Sequence, residues 1–408
     1  MKIMNTNKQQ IIEENTTKPS VSLNGILQNF LGNMREIKYF FDINLPAVKN
    51  RETEVNEKFK KFTNNHEKEI NGRKAIIVQV EEMKTFEKLL EEMSCISHQP
   101  LLCNSSFLIL INNFEYITKA ILRKLFLTYP KSILDKKEFI IEFDELSQFN
   151  DLKEVKEFMI DRHLEKVFYK SFSEQQRILQ KLFNNKEVLQ AINFPVLEKA
   201  MKERNLLAHN NGIITENFVK QTGYSVDSVG KKLFISKKKF EEVYQEILFF
   251  GICFLVLLGD KIKDKEFLDV HYQHLLFSLL EHKDYLLIKR LYENTISYAI
   301  SEDGNSEVIN FINYLLALEN IPEEKEKFNK LLNQYKIGSL SDHLKCSFAI
   351  LKNDKKEFIK LLKSSDFTSS DWYEFPIFER FKEDEILSKK ALSILEKNTK
   401  RIMKNAKK

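Results

Sequence analysis

A chain of 408 residues that is 43% hydrophobic has enough apolar material for two or three cores, which excludes a disordered class. Ten glycines and seven prolines are too few for most all-β folds, and 33 phenylalanines among abundant Lys, Glu, Leu and Ile favour helix. A net charge of +5 is close to balance, so where the charge lies matters more than its total.

The polar opening MKIMNTNKQQIIEENTTKPS lacks the apolar core of a signal peptide and reads as a loosely attached leader. Leu23 to Phe41 then carries apolar residues at helical spacing. Pro46 opens a charged stretch to Ile70 in which only Val55, Phe59 and Phe62 are apolar landmarks. Residues 1–73 are therefore set apart as a leader and helical region. Arg73 to Val80 follows Asn71-Gly72 and is either a short strand or the entry to a helix reaching Met93.

Residues 74–262 read as a helical bundle. Asn104 is placed as the N-cap of a long amphipathic helix with Phe107, Ile111, Phe114, Ile117, Ile121 and Leu125 on one face, stopped by Pro130. Further helices are expected from Leu152 to Phe172, from Ser173 to Asn185, and from Pro195 to His209, the last closed by Asn210-Asn211-Gly212. GYSVDSVGKKLFIS, Gly223 to Ser236, alternates between glycines and predicts a small β-hairpin insertion before the helix Phe240 to Leu258. The apolar run Ile247 to Leu258 has 12 residues, short of the ~20 that cross a bilayer, and is expected to be a buried core helix with no membrane partner.

Residues 263–408 change to short amphipathic helices. HKDYLLIKRL, EEKEKFNKLL and NDKKEFIKLL end at Leu291, Leu332 and Leu362, at intervals that bracket the roughly 34-residue period of stacked helical hairpins. The expectation is an α-solenoid resembling degenerate tetratricopeptide repeats, able to recruit a protein partner. Its end, Lys389 to Lys408, holds eight basic residues against Glu396 alone, which suits a polyanion or else a solvated terminus.

Cys95, Cys103, Cys253 and Cys346 are too scattered to frame disulfides or a C-x2-C knuckle, which points to a reducing, cytoplasmic setting. His271 with His274, and His343 with Cys346, have helical ligand spacing but no second pair, so no metal and no cofactor is expected. No phosphate-binding glycine loop, G-x-S-x-G elbow or HExxH is present.

One stretch carries chemistry. KERNLLAHNNG, Lys202 to Gly212, sets Arg204 and His209 in an R-x4-H arrangement near a helix C-terminus, the end whose dipole suits a cation. With eight histidines in the chain the bare pattern arises by chance, so context carries the argument. Asn205 and His209 are i, i+4 and share a face, while Arg204 is displaced by about 140° and converges with His209 only near the helix end. Cleaving RNA without a metal needs an imidazole to move the 2′-hydroxyl or leaving-group proton, and a cation to hold the phosphate's charge. His163, in Asp161-Arg162-His163 on a bundle helix, is a further candidate to approach the site.

The long helix before Pro130, the segment EFDELSQF, the segment DRHLEKVFYKSFSEQQRILQKLF, and RNLLAHNNGIITENFVKQTGYSVDSVGKKLFIS together resemble bacterial members of the HEPN superfamily (higher eukaryotes and prokaryotes nucleotide-binding domain). The resemblance spans about Ile76 to Leu258 and is sharp only at RN-xxx-HN-x-G. It implies a metal-independent endoribonuclease, with Arg204, Asn205 and His209 as its catalytic residues in a site built between two protomers. It also implies RNA, tRNA included, as substrate, and a role in phage defence or as a toxin. The alternative is a non-enzymatic module in which the bundle dimerises or binds RNA and the solenoid recruits a partner.

Overall fold

The computed structural model describes residues 22–94, 98–132, 140–298 and 304–405. The polar leader, Cys95 and the last two lysines of the basic end lie outside the described residues. The protein is mainly α, with a single two-stranded antiparallel sheet among the described residues. It divides into two compact units, Met1–Leu255 and Val256–Lys408.

In the first unit, α1 runs Leu23–His66, capped by the Ser22 hydroxyl accepting from the Gly25 N–H at 3.1 Å. It buries Ile26, Leu27, Phe30, Leu31, Met34, Phe41 and Leu45 at helical spacing and continues through Pro46, after which only Val55 is buried. The charged stretch is thus the exposed half of one helix. Strands β1 (Glu67–Ile70) and β2 (Arg73–Ile76) follow in register Ile70 opposite Arg73. Asn71 (φ 52°) and Gly72 (φ 75°) both adopt the left-handed conformation that a two-residue hairpin turn requires. Of the two readings open for Arg73 to Val80, the strand is realised, and the helix α2 starts only at Met83 (Met83–Ser94).

Helix α3 spans His98–Thr128 and packs against α1 and against α5 (Leu152–Phe168). Between them lies the short α4, Phe143–Leu146. Asn104 does not cap α3, which begins six residues earlier; its amide instead donates to the Leu233 carbonyl at 3.2 Å and accepts from the Ile235 N–H at 3.1 Å. A strong capping residue proves to be a clamp on a distant loop. Helix α6 (Phe172–Phe183) opens on a capping box in which Ser171 and Glu174 satisfy each other's backbone N–H groups. Then come α7 (Lys186–Ala191), α8 (Phe194–His209), α9 (Glu216–Thr222) and α10 (Lys237–Ile262).

The hairpin expected within Gly223 to Ser236 does not form. Gly223 (φ 71°) closes α9 as its C-cap, Val226–Ser228 makes a 3-10 turn, and the segment is tied back by a lone bridge between Ile213 and Lys232. Alternation and glycines are shared by hairpins and by loops held through isolated backbone bonds, so the pattern did not discriminate. Helix α10 is long and apolar enough by composition to cross a membrane, yet 89% of its apolar window is buried within the protein. Phe240 stacks on Phe41, while Phe250 meets Phe114 and Phe194 edge-on.

In the second unit, a π-helical turn Phe267–His271 leads into α11 (Tyr272–Glu281). It is followed by α12 (Tyr285–Thr295), α13 (Asn305–Glu319), α14 (Lys325–Gln334), α15 (Asp342–Leu351) and α16 (Lys355–Leu362). The last helices are α17 (Ser369–Glu374), α18 (Glu379–Lys382) and α19 (Glu385–Asn405). Helices α11 and α12, α12 and α13, α13 and α14, and α15 and α16 pack on one another, and α13 also touches α11 and α15, so α11, α13 and α15 form a row. The three recurring phrases fall on α12, α14 and α16. Two share a cause: Lys283 (φ 59°) and Asn353 (φ 56°) terminate the preceding helix in the left-handed conformation, each followed by an Asp at the next helix's N-cap. Phe348, Phe358, Phe367 and Trp372 are at the centre of this unit's core.

Helix α19 is not a free basic tail. Its Asn398 is buried and donates to the Leu362 carbonyl at 2.8 Å, and Arg401 donates to the Ser365 carbonyl at 2.6 Å. Lys397, Lys400 and Lys404 are exposed.

Candidate functional site

Helix α8 positions all three candidate residues. Asn193 caps it by accepting from the Val196 N–H, Pro195 sits in its first turn, and Phe194, Leu197, Ala200, Met201 and Leu206 bury its inner face. It ends where Asn210 N–H and Gly212 N–H both donate to the Leu206 carbonyl, at 3.0 and 3.1 Å. Asn211 (φ 48°) and Gly212 (φ 73°) are both left-handed, and a Cβ at Gly212 would stand 3.2 Å from a Leu207 methyl carbon. The Asn-Asn-Gly closure read from the sequence is the one found.

His209 is the last residue of α8 and is exposed. The turn beyond it is held by the returning loop: Ile214 N–H donates to the Lys231 carbonyl at 2.9 Å and Leu233 N–H to the Gly212 carbonyl at 2.7 Å. Lys231 and Lys232, both exposed, are thereby fixed on the turn that follows the imidazole. The Asn104 clamp holds the same loop from α3 at Leu233 and Ile235.

Arg204 and Asn205 are brought together directly, the guanidinium donating to the Asn205 amide oxygen at 3.0 Å. A second guanidinium nitrogen meets the Glu115 carboxylate of α3 at 3.3 Å, so Arg204 is three-quarters buried and paired. Among the described residues His209 makes no side-chain hydrogen bond to either. One copy of the chain thus presents an exposed imidazole and a separately held guanidinium, with a basic loop beside the helix end.

Next to Arg204 lies a residue that sequence reasoning passed over. Glu203 is fully buried, one carboxylate oxygen accepting from the Tyr224 hydroxyl at 2.8 Å and the other left without a partner. Burial pushes its pKa up, opposed by the charges of Lys239 and Lys199 and by the Tyr224 hydrogen bond. The Tyr224 phenol is likewise held well above its ordinary range, by burial and by the carboxylate beside it. Lys199 lies over the Tyr224 ring at 4.5 Å. This cluster ties the segment after α9 to the inner face of α8. The signal was present in the sequence: Glu203 falls at three-residue spacing between Ala200 and Leu206, where the helix faces inward.

His163 is a core residue, packed edge-on to Phe126, with Asp161 bonded to Arg123 and Arg162 to Glu145. Among the described residues no group of three or more His, Cys, Asp and Glu side chains is placed to hold a metal ion, and Cys103, Cys253 and Cys346 are buried. Comparison with family models, with curated proteins and with solved structures finds no match.

Proposed function

We propose that the protein is a cytoplasmic, metal-independent endoribonuclease of the HEPN type, acting on tRNA or another structured RNA in phage defence or as a toxin. The observation that carries this reading is the exposed His209 imidazole at a closed helix end, with Lys231 and Lys232 on the loop bonded to the turn that follows it and Arg204 and Asn205 on the same helix. Histidine exchanges protons near neutral pH, and arginine holds an oxyanion through fixed, always-charged donors. In the proposed reaction an imidazole takes the 2′-hydroxyl proton, the 2′-oxygen attacks phosphorus, and the 5′-oxygen leaves with a proton. The products are a 2′,3′-cyclic phosphate and a 5′-hydroxyl.

One imidazole serves poorly as both base and acid, so the proposed enzyme is a homodimer with two copies of Arg204, Asn205 and His209 at its axis. The second unit, with its row of alternate helices, is read as a tetratricopeptide-like solenoid that recruits a protein partner.

A second reading, a non-enzymatic binding module, is favoured by one observation: Glu115 and Asn205 already satisfy the Arg204 guanidinium. Incubation of the protein with total tRNA in EDTA, beside His209→Ala, separates the two. Cleavage by the wild type alone supports the enzyme, and intact tRNA bound by both supports the module.

A further inference from the structure

The segment that enters α10 carries five lysines, Lys231, Lys232, Lys237, Lys238 and Lys239, with Phe234 among them. Lys237 faces Glu241 at 3.6 Å and Lys239 faces Glu242 at 3.5 Å, whereas Lys231, Lys232 and Lys238 are exposed and make no ion pair among the described residues. Phe234 is 44% exposed, and the backbone around it explains why. Its neighbours Leu233 and Ile235 are 3% and 1% exposed, and Asn104 of α3 holds both, through the Leu233 carbonyl and the Ile235 N–H. With both neighbours turned inward, the ring between them is turned out.

Exposure alternates along residues 232–236, so Lys232 and Phe234 share the outward side, about 7 Å apart at the rise of an extended chain. The two side chains suit different parts of a nucleotide: an ammonium meets the phosphate, and an aromatic face stacks on a base. A duplex keeps its bases stacked on one another, so only an unpaired nucleotide can use the ring. The segment is also tied to the turn that follows His209, because Leu233 N–H donates to the Gly212 carbonyl at 2.7 Å. A base held on Phe234 is therefore held on the same rigid turn that closes α8.

We infer that Phe234 is a stacking platform for an unpaired base of the RNA, with Lys231, Lys232 and Lys238 holding the flanking phosphates. The inference rests on the ribonuclease reading and narrows its substrate to RNA that presents a single-stranded loop or end at the site. The platform reads sequence weakly, since every base offers a π-face.

The test measures binding rather than cleavage, so its failure is distinct from failure of the enzyme reading. The probe is a fluorescently labelled 2′-O-methyl RNA of about 12 nucleotides, whose blocked 2′-oxygens cannot attack phosphorus, offered to the full chain as a single strand and annealed to its complement. In anisotropy titrations Phe234→Ala should weaken single-strand binding about tenfold, within the range one stacked base contributes, and leave duplex binding unchanged. Phe234→Trp should keep the affinity and add an exposed tryptophan to the buried Trp372, its emission quenched by the single strand and not by the duplex. Replacing Lys231, Lys232 and Lys238 together by Gln should lower the slope of log K against log salt by about 2. Single-strand binding by Phe234→Ala equal to that of the wild type overturns the inference, as does an equal loss for the duplex or unquenched emission from Phe234→Trp. A change of oligomeric state in Phe234→Ala with RNA binding intact assigns the ring to a protein contact and overturns it too. Cleavage of tRNA by the wild type alongside any of these results leaves the enzyme reading standing without the platform.

Discussion

Tyr224→Phe isolates the hydrogen bond beside the candidate site. The ring stays, keeping its tilted contact with Phe218 at 5.3 Å and its place under Lys199, while the hydroxyl that donates to Glu203 at 2.8 Å is lost. Glu203 is fully buried and its other oxygen has no partner, so its carboxylate is left without a side-chain hydrogen bond. A hydrogen bond to a charged group contributes about 1.5–3 kcal/mol, against about 1 kcal/mol for a neutral pair. Because burial raises the folded-state pKa of Glu203, the folded protein binds its proton more tightly than the unfolded chain does. That group's effect on stability is most favourable at low pH and is lost as pH rises from the ordinary glutamate range through the raised value. Tyr224→Phe removes an influence that lowers this pKa, so the loss with rising pH is larger in the variant. Urea unfolding followed by circular dichroism should show a deficit of about 2 kcal/mol near pH 8 that shrinks to about 1 kcal/mol near pH 5. An identical deficit at both pH values, or none near pH 8, would refute the reasoning.

Gly251→Ala would ordinarily stabilise a helix by about 0.5–1 kcal/mol, but here the new methyl would stand 2.6 Å from the buried Phe30 ring, and overpacking costs about 1–3 kcal/mol. Thermal unfolding should show a net loss of about 1–2 kcal/mol that Phe30→Leu in the same chain relieves. Glu115→Gln removes the carboxylate facing Arg204 and should tighten RNA binding several-fold in filter assays; weaker binding would mean that Glu115 orients the guanidinium for RNA. Replacing Lys397, Lys400 and Lys404 by Gln tests the basic end without disturbing the Asn398 and Arg401 anchors, which truncation would remove. If these lysines meet phosphates, the slope of log K against log salt falls by about 2, and an unchanged slope marks a solvated face.

The helices were legible because their buried faces repeat at helical spacing, as Phe107 through Leu125 do on α3 and Leu197 through Leu206 do on α8. The turn after His209 was legible for a local reason as well, since Asn-Asn-Gly accepts left-handed conformations that other residues resist. The hairpin was misplaced because β1, Glu-Lys-Glu-Ile, is charged and exposed and carries no strand signature of its own; only its Asn-Gly turn announced it. What stayed hidden is long-range. Asn104 clamping residues 233–235, Glu115 pairing with Arg204, and Tyr224 reaching Glu203 each depend on packing between segments distant in sequence. The inward position of Glu203 was visible in the periodicity of α8, and its hydroxyl partner was not.

The most direct test of the account is the cleavage of 5′-labelled tRNA in EDTA by the wild type, Arg204→Ala and His209→Ala, with matched circular dichroism and with product ends identified. His209 is exposed and Arg204 holds only a partly exposed ion pair, so both variants should stay within about 1 kcal/mol of wild-type stability. The account predicts discrete fragments ending in 2′,3′-cyclic phosphate from the wild type and none from either folded variant. Undiminished cleavage by His209→Ala, or intact tRNA with the wild type, would contradict it.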